Sequence, residues 1–142
     1  MKKLLIIATA FALLVITGAC RSKSGSTTVQ TGKPVASATV NNLTATLSNS
    51  TGQLKQGDQE VMLAITDSSG KPVDVGAVSL NFHMAQMSTM AAMNDQTSFT
   101  TTAMPGVYRG KVHIEMAGEW QGQLAYEGPA GSGKTTFTVT AQ

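Results

Sequence analysis

Gly128-Pro129-Ala130-Gly131-Ser132-Gly133-Lys134-Thr135-Thr136-Phe137-Thr138-Val139-Thr140 admits two readings, and they lead to different folds. Its first eight letters match GxxxxGK[ST], the phosphate-binding loop. That loop needs a strand leading in and a helix leading out, so that backbone amides and the helix dipole converge on phosphate. Residues 135–140 have no helical period. They alternate threonine with Phe137 and Val139, the pattern of a strand with one buried face. We therefore read residues 128–133 as a flexible hairpin loop, expect no nucleotide there, and take the chain as all-β.

The same period of two extends upstream. Leu43, Ala45 and Leu47 share one face, and so do Val61, Leu63 and Ile65. Residues 67–72 are turn chemistry. Val78, Leu80 and Phe82 then point inward, with Asn81 and His83 outward. Residues 98–102 form a short Thr-rich strand, and Pro105-Gly106 turns the chain into residues 107–115. There Tyr108, Val112 and Ile114 share a face; Trp120, Leu124 and Tyr126 repeat the pattern. About seven short strands with turns between them predict an immunoglobulin-like antiparallel β-sandwich. Tyr108 sits where a tyrosine corner would, although the second cysteine of true immunoglobulin domains is absent. Trp120 is expected in the core.

The N-terminus sets the compartment. Lys2 and Lys3 precede an apolar run over residues 4–16, too short for a membrane span of ~20 residues. Thr17-Gly18-Ala19-Cys20 then looks like a lipoprotein cleavage box, with Thr17 where leucine is commoner. We expect a signal peptide over residues 1–19, a lipidated Cys20 heading a flexible Ser/Thr/Gly-rich linker over 20–37, and a domain over 38–142. The protein would then sit outside the cytoplasm, anchored to the membrane. Cys20 is the only cysteine, so the mature domain holds no disulfide and no thiolate metal site. Without Lys2 and Lys3 the ten basic residues fall to eight, equal to the eight acidic ones. No basic field remains to argue for nucleic acid.

Chemistry concentrates in Asn81-Phe82-His83-Met84-Ala85-Gln86-Met87-Ser88-Thr89-Met90-Ala91-Ala92-Met93. Four of the chain's eight methionines stand there at a spacing of three, led by a histidine. Thioethers suit soft Cu(I) or Ag(I) rather than hard or borderline cations, and imidazole is a general transition-metal ligand. In helical turns, residues three apart are neighbours that drift by about 60° per step. Two or three thioethers then converge with His83. The expected inner set is His83, Met84, Met87 and Met90, with Met93 and Met104 in reserve; alternation turns Met84 inward. If residues 78–84 and 107–115 are antiparallel neighbours, Met104 lies near His83 and His113 toward the opposite end. The alternative is that these methionines are adaptable apolar filler. The domain would then be a metal-free module docking a membrane complex through its methionine loop. The eight carboxylates are scattered, no nucleophile elbow appears, and we expect no enzyme.

Gly76-Ala77-Val78 leading to Phe82-His83-Met84, then Pro105-Gly106-Val107-Tyr108-Arg109-Gly110, then Met116-Ala117-Gly118-Glu119-Trp120, resemble the YtkA-like/FixH-like domain family over residues 35–142. The resemblance implies an exported immunoglobulin-like domain that works beside heavy-metal efflux or oxidase-assembly components. Three departures stand out. Met84-Ala85 replaces a common Met-Pro, methionines are more numerous, and Met116 follows His113 by three rather than the two of a copper-chaperone His-x-Met.

Overall fold

The computed structural model describes residues 32–142. The expected signal peptide, Cys20 and the first part of the linker lie outside the described residues. Eight strands follow one another: β1 (Lys33–Val40), β2 (Leu43–Asn49), β3 (Gly57–Thr66), β4 (Ala77–Met84), β5 (Met93–Thr101), β6 (Val107–Ile114), β7 (Gly118–Gly128) and β8 (Gly131–Ala141). They pair antiparallel in the order β1-β2-β3-β6-β5-β4-β7-β8, and β1 returns alongside β8, so the sheet nearly closes. β5 joins the β1-β2-β3-β6 and β4-β7-β8 runs by pairing with both β6 and β4. The all-β, sandwich-like architecture read from alternation is the one observed.

The inward set is also as alternation requires. Leu47, Leu63, Leu80, Phe82, Ile114, Trp120 and Leu124 form one continuous buried cluster. Trp120 is fully buried, and its Nε1 donates to the Met116 carbonyl oxygen at 3.0 Å, so the indole carries no unpaired donor into the core. The Tyr108 hydroxyl accepts from the Val75 amide at 3.1 Å and donates to Asp74 at 3.1 Å. It thereby ties β6 to the β3–β4 connection, a longer reach than the few residues a tyrosine corner spans. Three cross-strand pairs set an aromatic ring over a glycine: Phe99 on Gly110, Phe137 on Gly122 and Tyr126 on Gly133.

Four expectations need correction. First, β1 begins at Lys33, inside the stretch read as linker, because backbone pairing to β2 carries it; Pro34 is absorbed by a register shift before Ala36. The Asn41–Asn42 turn holds β1 in place, with Asn41 at positive φ and donating to the Tyr126 hydroxyl and the Ser132 carbonyl. Second, residues 128–133 are not a loop. Gly128 pairs with Gly131, leaving a two-residue Pro129–Ala130 turn, and Lys134 pairs with Ala125 inside the ladder. A Cβ at position 128 would collide with the Val75 carbonyl, and Gly131 has φ 101°, so the glycines serve this tight turn. Third, the methionine segment has no helical turn. Fourth, β5 intervenes between β4 and β6, which are therefore parallel to each other rather than antiparallel neighbours.

Candidate metal centre

The β4–β5 connection is a hairpin. Met84 pairs with Met93 at the end of the ladder, and Met87 forms an isolated bridge with Met90. Met87 and Met90 exchange both backbone hydrogen bonds, at 3.2 and 2.8 Å, around a two-residue Ser88–Thr89 turn. Ser88 takes φ 51°, a conformation such a turn requires and serine adopts at some cost. Two residues separate the pairs on each arm, 85–86 and 91–92, so the register continues without a bulge. This explains the spacing of three: a hairpin centred between Ser88 and Thr89 pairs 87 with 90 and 84 with 93.

The two pairs live in different places. Met84 is 3 % exposed and belongs to the core, with Met93 half-buried against it. Met87 and Met90 are 51 % and 39 % exposed. Directly opposed residues of a hydrogen-bonded pair project from the same face, with Cα atoms ~5.5 Å apart, so flexible thioethers there can share one ion. The structure thus brings Met87 and Met90 together and places Met84 in the packing.

His83 faces outward at the base of this hairpin. Its Nδ1 lies 2.9 Å from the Asn94 side-chain oxygen, which also accepts from Asn81 at 3.4 Å. A carbonyl oxygen only accepts, so Nδ1 donates, and in the neutral ring Nε2 keeps the lone pair a metal needs. Met87 is four steps along the chain from His83, ~13 Å in a regular strand. In this extended hairpin His83 and the thioether pair are thus separate positions. The residues fit a soft monovalent ion at the tip; adding imidazole requires the arms 85–86 and 91–92 to bend.

Met104 stands in the β5–β6 connection, at the end of β5 opposite Met93. Thr101 is eight steps along the strand from Met93, ~26 Å, which removes Met104 from the neighbourhood of His83. His113, by contrast, lies at the His83 end, because β4 and β6 run parallel with β5 between them. Its Nδ1 meets Asp58 across β3–β6 at 2.9 Å, and that hydrogen bond holds its pKa above the ordinary histidine value. Burial pushes the Tyr108 hydroxyl up in the same sense, with the hydrogen bond to Asp74 adding to it.

Asp95 and Thr97 escaped the reading by residue type. β5 begins at Met93 rather than near residue 98, so alternation turns Met93, Asp95, Thr97 and Phe99 inward. Counting back from Phe99 in steps of two is the signal that finds them. Asp95 Oδ2 and Thr97 Oγ1 are buried without a hydrogen-bond partner.

A family model described as YtkA-like matches residues 37–125. No curated protein and no solved structure matches the chain.

Proposed function

The chain belongs to the YtkA-like family, and from that premise we propose that it is an extracytoplasmic, lipid-anchored β-sandwich that binds Cu(I) or Ag(I) at the β4–β5 hairpin. The observation that supports this most is the Met87–Met90 bridge, which sets two exposed thioethers on one face of a tip otherwise made of small and polar residues. A soft-ion carrier needs its thioethers in reach of solvent, and this pair is. His83, with Nδ1 committed to Asn94, is the imidazole available once the tip curls, with Met93 in reserve; Met84 sits in the core and Met104 at the far end of β5, both outside this tip set.

In this reading residues 1–19 are a removed signal, Cys20 carries lipid, and the protein handles metal beside an efflux or oxidase-assembly component of the same membrane. It performs no catalysis and contacts no nucleic acid. The second reading, a metal-free module docking a membrane complex, rests on the same exposed methionines acting as adaptable apolar contacts. Metal content separates the two. Protein purified under reducing conditions from copper-supplemented cells should carry copper and little zinc. Metal-free protein that takes up no Cu(I) would leave the docking module in its place. Membrane fractionation checks the anchor: Cys20→Ser should release the protein from the membrane fraction, and unchanged retention and processing would refute lipidation.

A further inference from the structure

We propose a second, interior site for a single monovalent soft cation, formed by the Asp95 carboxylate with the Met84 and Met93 thioethers. It rests on the soft-metal reading above for the identity of the ion, but it uses none of the exposed residues. Three observations converge. Asp95 Oδ2 and Thr97 Oγ1 are buried and neither has a hydrogen-bond partner. Thr97 is 2 % exposed. Unpartnered buried oxygens are uncommon, and each calls for a ligand, an ion or a water. Next, the register places these oxygens beside the inner thioethers. Met93, Asp95 and Thr97 of β5 lie opposite Met84, Phe82 and Leu80 of β4, successive rungs of one inward face. Residues two apart on a strand are ~7 Å apart at Cα, within the combined reach of a methionine and an aspartate side chain.

Charge then selects the ion. Thioethers and a threonine hydroxyl are neutral, so Asp95 contributes the one negative charge of this set. Asp95 is part-buried with one carboxylate oxygen, Oδ2, fully covered, and a monovalent cation there makes the ensemble neutral. A water would satisfy hydrogen bonds but not the charge. Softness of the two sulfurs narrows the monovalent choice to Cu(I) or Ag(I). The inner set begins three positions below the Met87–Met90 pair on each arm, ~10 Å along the hairpin.

The test follows methionine ε-methyl signals by NMR in the full-length chain, titrated with silver nitrate. In M87L/M90L, which removes the outer sulfurs at constant volume, the Met84 and Met93 methyls should still move with a single saturating equivalent. Adding Asp95→Asn should weaken that binding by about tenfold or more, with the metal-free spectrum unchanged. Met93→Leu on the same background preserves volume and should weaken it by a similar factor, read at Met84. Met84 and Met93 signals that stay fixed at saturating silver would overturn the interior site, and so would Asp95→Asn or Met93→Leu titrating like M87L/M90L. Failure of the exposed site is seen separately, as Met87 and Met90 methyls that do not respond in the parent chain.

Discussion

The β4–β5 and β7–β8 hairpins each carry a sequence motif, and they end differently. In β7–β8 the ladder runs unbroken to its turn, Gly128 packs against the backbone of Val75, and the glycines of the phosphate-loop pattern serve the turn. In β4–β5 the ladder stops at Met84 and Met93, resumes for the single Met87–Met90 bridge, and leaves every residue from 85 to 92 exposed. A motif gains chemical meaning from what its placement leaves free. The amides of the first are spent on a sheet, while the Met87 and Met90 sulfurs of the second are left in solvent.

That contrast predicts a gradient of stability effects. Trp120→Ala, on β7 behind the closed hairpin, should cost ~3–5 kcal/mol in urea unfolding; a loss under 1 kcal/mol would mean the indole is not in the core. Within the open hairpin the two methionine pairs should separate. Met84→Ala should cost ~2–5 kcal/mol and Met87→Ala no more than ~0.5 kcal/mol. Equal costs would dissolve the distinction between packing and exposed sulfur. Gly122→Val pushes a side chain into the Phe137 ring and should cost ~1–3 kcal/mol by overpacking, a drop in melting temperature that calorimetry would register.

The smallest effect is electrostatic. The raised pKa of His113 means that its pairing with Asp58 contributes stability in full below the unfolded value of 6.5, and that this contribution is lost as pH rises through the higher folded value. NMR titration should find His113 above 6.5 in the native protein and lower in Asp58→Asn. No change between the two would show that the contact at this exposed site is not kept in solution.

Strand faces were legible because burial imposes a period of two, and Leu80, Phe82, Trp120 and Leu124 obey it. Strand order was not, because alternation says nothing about which edges meet. The assumed β4–β6 pairing therefore placed Met104 and His113 at the wrong ends. The methionine spacing was real but ambiguous: three residues separate neighbours on a helix and also the residues flanking a two-residue turn. Only the turn, with Ser88 at positive φ, decides between them. Asp95 was hidden for a related reason. A carboxylate is assigned to solvent by type, and its inward direction emerges only once β5 is seen to start at Met93.

Competitive Cu(I) titration under reducing conditions, comparing the parent chain with M87L/M90L, tests the exposed thioether site most directly. Leucine keeps the apolar volume and removes the sulfur, so stability should hold while affinity at the tip is lost and Zn(II) competes poorly throughout. If M87L/M90L binds Cu(I) with the parent's affinity and stoichiometry, the exposed methionines are not ligands and the account of this hairpin is wrong.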